Sequence, residues 1–201
     1  MYDSTDSCGG DQDPGTPGAD QGLPESGADQ DPSGSTAGQA PQPNQGPEEV
    51  RFLVDSTAGK LVRWLRLLGF DSTYSEQAAD YRLVHRARTE GRIVLTRRRS
   101  AAALPWGNAV LLESDRLDDQ LTQIARCYAM PGRPMTRCSL CNALLEDVSG
   151  ESVRDIVPPF VYKTASGFSK CLGCGHVYWQ GTHSSRITER WKTLWELAGS
   201  E

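Results

Sequence analysis

The sequence predicts an α/β fold: a small parallel sheet flanked by helices, followed by a zinc ribbon. Three observations point there. Short apolar runs occur at Arg51-Phe52-Leu53-Val54-Asp55, Arg92-Ile93-Val94-Leu95-Thr96 and Ala109-Val110-Leu111-Leu112-Glu113. Segments with helical apolar spacing separate or follow them, the pattern of a sheet covered by helices rather than of hairpins. Two C-x-x-C pairs then appear 29 residues apart, where the helical texture has given way to Pro, Val and Tyr.

The first run is a buried strand ending on an acid. Thr57 to Leu68 is a helix, with Leu61, Leu65 and Leu68 on one stripe and Arg63 and Arg66 off it. Ser56 or Thr57 can cap its start and Gly69 its end. Asp80 to Glu90 is a second helix, with Leu83, Val84 and Ala87 inward and Gly91 as its stop. Residues 116–129 form a third, placing Leu117, Leu121, Ile124 and Tyr128 on one face. Ser184 to Ala198 is the last, carrying Ile187, Trp191, Leu194 and Trp195. The expected order is β-α-α-β-β-α, then ribbon and helix. Trp64 and Trp191 read as core, His176 as a strand residue, and Trp179 as packing between ribbon and sheet.

Composition divides the chain into three: a disordered acidic tail over 1–49, an α/β domain over 50–131, and a zinc ribbon with its C-terminal helix over 132–201. Residues 1–49 hold ten acidic residues and no Lys or Arg, so the net charge of −5 splits into −10 for the tail and +5 for the remainder. A segment so rich in Gly, Pro, Gln, Ser and Asp buries too little apolar surface to offset its ordering entropy. The positive charge of the remainder is nearly all Arg, whose planar fork suits phosphate. No apolar run reaches the ~20 residues a bilayer span requires. The N-terminus has neither the basic nor the apolar stretch of a secretory signal. The expected location is the cytoplasm, with no membrane partner, and paired cysteines there favour metal over disulfides.

Cys138, Cys141, Cys171 and Cys174 form two knuckles, each able to aim two thiolates at one ion. Four sulfurs close a tetrahedral zinc site with no open position, which makes it structural. Gly173 and Gly175 permit the bends. Four thiolates also suit iron.

Asp55 ends the first strand, and in open α/β sheets the carboxyl ends of strands face the ligand crevice. An acid there is a natural Mg²⁺ or Mn²⁺ ligand for phosphodiester hydrolysis. It is equally suited to cap the next helix. Arg97, Arg98 and Arg99 follow the second apolar run, as a solvated turn or as a clamp on phosphate groups.

Several stretches resemble a known family: Phe52 to Asp55, Gly59 to Leu61, Arg63 to Asp71, Gly91 to Arg97, Arg137 to Asn142, and Cys174 to His183. Together they are similar to the Mut-seven carboxy-terminal RNase domain family, a PIN-like nuclease fold fused to a zinc ribbon, over about residues 51–186. The resemblance implies metal-dependent RNA cleavage by clustered acids. Carried over, Asp55 is the first catalytic metal ligand and Asp80 the next, although Asp80 also fits an ordinary helix cap. The third acid is expected after the Thr96-Arg97 pair, where this chain has Arg98. A guanidinium there repels a divalent ion. Asp115 is a stand-in for that acid or, with Ser114, a helix cap. Tyr178, Trp179 and His183 cluster around the second knuckle, suited to stacking on bases or, for Trp179 above all, to packing. Three readings follow: a Mg²⁺- or Mn²⁺-dependent ribonuclease, an RNA-binding protein with weakened catalysis, or a protein-interaction adaptor that uses the ribbon and the acidic tail.

Overall fold

The computed structural model describes residues 49–104 and 108–199. The acidic tail, but for Glu49, lies outside them. The first unit is a four-stranded parallel sheet. Its strands are β1 (Arg51–Val54), β2 (Asp71–Tyr74), β3 (Ile93–Thr96) and β4 (Ala109–Leu111), in the spatial order β2-β1-β3-β4. Helices α1 (Gly59–Leu67), α2 (Tyr81–Thr89), α3 (Arg99–Ala102) and α4 (Leu117–Cys127) connect and follow these strands.

The strand order reverses direction at β1, so the crossovers before and after β2 cover opposite faces. Side chains divide accordingly. Phe52, Val54, Leu95 and Val110 pack with Leu61 and Leu65 of α1 and Leu121 and Ile124 of α4. Leu53 and Val94 point the other way, against Leu83, Val84 and Ala87 of α2 and Ala101 of α3. This alternation is the period-two geometry of a strand buried on both faces.

The expected element order lacked β2 and α3. β2 reads Asp-Ser-Thr-Tyr and has no apolar run, because only one of its four residues, Ser72, is buried. α3 is a single turn that starts within the arginine run.

The second unit is the antiparallel sheet β5 (Leu145–Val148), β6 (Phe168–Cys171) and β7 (Val177–Trp179). Helix α5 (Pro159–Thr164) lies between β5 and β6, and Val153, Val157, Phe168 and Val177 form a small core beside it. His176 is exposed and lies just before β7, outside the strand. Helix α6 (Thr182–Ala198) returns to the first sheet. Its Leu194 joins the core around Phe52, and the half-buried Trp191 packs beside it and donates from Nε1 to the Pro131 carbonyl at 3.1 Å. Trp64 is half-buried against the same core, with the Arg190 guanidinium 4.9 Å from its ring centre.

The two sheets meet at the amino end of β2. Arg66 of α1 is buried, 8% exposed. It donates from Nε to the Ser72 carbonyl at 2.8 Å, and from Nη1 to the carbonyls of Leu140 at 2.7 Å and Ser139 at 3.2 Å. Asn142 sits at φ 72°, a left-handed position that Asn tolerates. Its Oδ1 accepts from the Ser72 amide at 3.0 Å, and its Nδ2 donates to Asp71 at 2.9 Å. Burial pushes the Asp71 carboxyl up, but Arg92 and Asn142 donate to it and hold it below the usual carboxylate range. Arg137 lies 3.8 Å from Asp71 and 2.8 Å from Glu49.

Arg66→Met keeps the aliphatic stem but removes the donor from two buried carbonyls and one part-buried carbonyl. The expected loss is about 3 kcal/mol, a fall in the thermal midpoint of roughly 6–12 °C. A midpoint within a degree of the wild type would remove Arg66 as the joint.

Candidate functional site

The carboxyl edge of the parallel sheet is built around Asp55. Val54 pairs with Leu95, so the next residues in register, Asp55 and Thr96, point to the same face. Asp55 is fully buried. Its Oδ1 accepts from the Thr57 amide at 2.9 Å and from the Thr57 hydroxyl. Its Oδ2 accepts from the Ala79 amide and the Thr96 hydroxyl, each at 2.7 Å. A carboxylate has about four acceptor positions, and all four are filled. Asp55 therefore caps the turn that leads into α1, and also fixes the loop ahead of α2 and the end of β3.

The arginine run is tied to this carboxylate through two hydroxyls. The Arg97 amide donates to Thr57 Oγ1 at 2.9 Å, and the Arg98 amide to Thr96 Oγ1 at 3.0 Å. The side chains of Arg97, Arg98 and Arg99 are exposed. Asp80 is exposed and caps α2, accepting from the Leu83 amide at 2.9 Å. Ser114 Oγ donates to Asp119 and accepts from the Arg116 amide, beside the half-turn that leads into α4. Among the described residues, no group of three or more acidic or His side chains converges at this edge. Asp55, Asp80 and the run 97–99 thus belong to the same edge, but the acids serve as caps. Mg²⁺ takes octahedral oxygen ligands, and this set offers one saturated carboxylate and one exposed capping carboxylate.

The four ribbon cysteines do converge. Their sulfurs all lie within 4.8 Å of one another. Cys138 and Cys174 are 3.6 Å apart, and Cys141 and Cys171 3.3 Å. A tetrahedral ion with Zn–S of about 2.3 Å sets S···S spacings of about 3.8 Å, so a small adjustment accommodates it. The cluster could hold a structural metal such as zinc. Burial pushes the Cys138 thiol up, but the Tyr178 hydroxyl and the Cys141 and Leu140 amides outweigh that and bring it down to about 6. The His176 amide pulls the Cys174 thiol down, yet the adjoining Cys141 and Cys171 sulfurs push it to about 12. Four sulfurs this close cannot all carry charge unless a cation lies between them. The knuckles approach so tightly that a Cβ on Gly173 would sit 2.8 Å from that of Ala143, and Gly175 takes φ 73°.

A family model described as the Mut7-C RNAse domain matches residues 50–191. The chain belongs to this family. No curated protein and no solved structure matches it. The Mut7-C span covers both sheets and most of α6, so the nuclease-type sheet and the cysteine ribbon form one family unit. Within it, sequence reasoning missed Arg66 and Asn142, and offered Tyr178 for stacking where the structure commits its hydroxyl to the first knuckle. Arg66 lies off the apolar stripe and reads as solvent-facing, although it spans the joint. Asn142 directly after Cys141 was a usable signal, since Asn favours left-handed turn positions. The Tyr178 hydroxyl accepts from the Ser139 amide at 3.0 Å and contacts Cys138 Sγ at 3.2 Å, so it braces the first knuckle. Trp179 is 42% exposed rather than packed between ribbon and sheet.

Purified protein is expected to carry about one zinc per chain. A structural site of this kind contributes on the order of 10 kcal/mol to folding. Cys141→Ser should therefore cut the zinc content sharply and speed amide exchange over residues 136–183. Full zinc loading in that variant would remove the site.

Proposed function

We propose that this Mut7-C chain is an RNA-binding member of its ribonuclease family, in which metal-dependent cleavage is weakened. The observation that carries this reading is the joint placement of Asp55 and the arginine run. The buried carboxylate spends all its acceptor positions on protein donors, and the two hydroxyls that bind it also hold the Arg97 and Arg98 amides. The edge that would hold an ion therefore presents three consecutive guanidinium groups.

Guanidinium forks pair with phosphate oxygens in a bidentate manner. They would fix the register of a strand without reading its bases. Three such contacts to single-stranded RNA give a slope of log K against log salt of about −2. Asp55 then acts through the backbone, holding the 97–98 turn in place. Residues 50–131 serve as the RNA-gripping domain, and 132–201 as a zinc-stabilised ribbon with the closing helix. No helix among the described residues is long and apolar enough to cross a membrane. The paired cysteines suit a reducing compartment, and the cytoplasm is the proposed location.

The rival reading is an active Mg²⁺- or Mn²⁺-dependent ribonuclease with Asp55 and Asp80 as ligands. It requires the Thr57 or Thr96 hydroxyl to swing off Asp55, because the two amides are fixed by the chain. Arg98→Asp separates the readings, since it supplies the missing acid and removes the repelling charge. Wild type is expected to bind generic RNA in a salt-sensitive way and to cleave it slowly or not at all with Mn²⁺. Arg98→Asp should bind more weakly yet gain Mn²⁺-dependent cleavage, which Asp55→Asn abolishes in that background. If wild type cleaves well and Asp55→Asn ends that activity, the ribonuclease reading replaces ours. If neither protein binds RNA at any salt concentration, the nucleic-acid reading itself falls.

A further inference from the structure

We infer that Tyr74 is the base-stacking residue of the carboxyl edge, receiving a nucleobase of the single strand whose phosphates the arginine run grips. The inference rests on the RNA reading above and adds a second kind of contact to it. Val54 is flanked in register by Tyr74 of β2 and Leu95 of β3. Neighbouring strands lie about 4.8 Å apart, so the ends of β2 and β3 stand ~10 Å apart across β1. The turn Ser56–Ala58, which leads into α1, links the two. At its start, Thr57 Oγ1 accepts from the Arg97 amide at 2.9 Å. Just past its end, Gly59 lies against the Tyr74 ring, where an added Cβ would come within 3.3 Å of Cε2 and 3.4 Å of the hydroxyl oxygen. Arg97 and Tyr74 are therefore held by residues 57 and 59 of one short segment.

Three features select a single strand as the occupant. First, Tyr74 is 44% exposed although its ring is seated on the chain. An exposed ring held at one place accepts any base by stacking. Second, Gly59 takes φ −53° and ψ −30°, ordinary helical backbone that any residue adopts. Its conformation does not call for glycine, which costs about 1 kcal/mol against alanine in a helix. What the missing side chain provides is room for the ring. Third, Lys60 beside Gly59 is exposed, and with Arg97, Arg98 and Arg99 it places four cations on the stretch from β2 to β3, against the two exposed acids Glu76 and Asp80. Among the described residues, none of the four cations forms an ion pair. An apolar ligand has no use for these cations, and a free phosphate has none for the ring. A single strand offers phosphates to the one and bases to the other.

Fluorescence anisotropy of a fluorescein-labelled oligouridylate with the full-length zinc-loaded protein reads the affinity. Tyr74→Leu keeps apolar bulk without a ring and should weaken binding roughly five- to a hundredfold. Its slope of log K against log salt should match the wild type, because no phosphate contact is lost. Tyr74→Phe keeps the ring and should restore most of that loss. Arg98→Gln should instead flatten the slope by about 0.7, the share of one phosphate contact. An oligouridylate carrying 4-thiouridine should crosslink to the peptide containing Tyr74 in the wild type, which reads the site even where a variant folds poorly. Wild-type affinity in Tyr74→Leu, with Arg98→Gln weakened and no crosslink at Tyr74, would overturn the stacking and leave the arginine reading standing. Equal weakening in Tyr74→Leu and Tyr74→Phe without a crosslink would overturn it as well. Absence of RNA binding by the wild type would overturn both readings.

Discussion

One buried carboxylate organises the sheet edge. Asp55 accepts four hydrogen bonds from three segments: the turn before α1, the loop before α2 and the end of β3. An ionised carboxylate is tolerated at full burial only when its lone pairs are met, and here each is. The same bonds fix the hydroxyls of Thr57 and Thr96, which in turn hold the Arg97 and Arg98 amides. The position of the basic run is thus a consequence of how Asp55 is satisfied. An acid at this place in a nuclease-type sheet is expected to face an ion. In this chain all four of its acceptor positions meet protein donors.

The opposite edge depends on a cation. Arg66 extends from α1 into the first cysteine knuckle, while Asn142 completes the open side of β2 at Ser72. Burial pulls the Arg66 guanidinium below its ordinary value, and the nearby Cys138, Cys141 and Asp71 push it back up. A charged donor aimed at carbonyls is stronger than a neutral one, so a single side chain can join two units that share little apolar surface. The knuckle, the sheet edge and the loop at Met135 are consequently held by polar contacts. The core around Phe52 holds α6 on the far side.

The sequence made the buried parts legible. β1, β3 and β4 announce themselves as apolar runs, because strands covered on both faces have no polar side to show. The stripes of α1, α2 and α4 place Leu61, Leu65, Leu83 and Leu121 inward, as observed. β2 was illegible because Ser72 is its only buried residue: a strand of Asp, Ser, Thr and Tyr is held by backbone pairing and by Asn142, neither of which leaves a hydrophobic pattern. The cysteine spacing foretold the convergence of four sulfurs, since a C-x-x-C knuckle is local geometry. Asp55 and Asp80 were ambiguous in principle, because a carboxylate at the start of a helix is chemically the same group whether it caps or coordinates. Only the number of donors around it decides, and those donors come from residues 57, 79 and 96, which are far apart in sequence.

Whether the Asp55 edge holds a divalent ion is read more directly from occupancy than from turnover. Electron paramagnetic resonance of Mn²⁺ added in equal amount to the zinc-loaded full-length protein reads the free and bound ion. A spectrum of free Mn²⁺, the same for wild type and Asp55→Asn, is expected of an edge whose carboxylate is already saturated. One equivalent of bound Mn²⁺ in the wild type, lost in an Asp55→Asn protein that keeps its zinc and its fold, would contradict the structural role of Asp55.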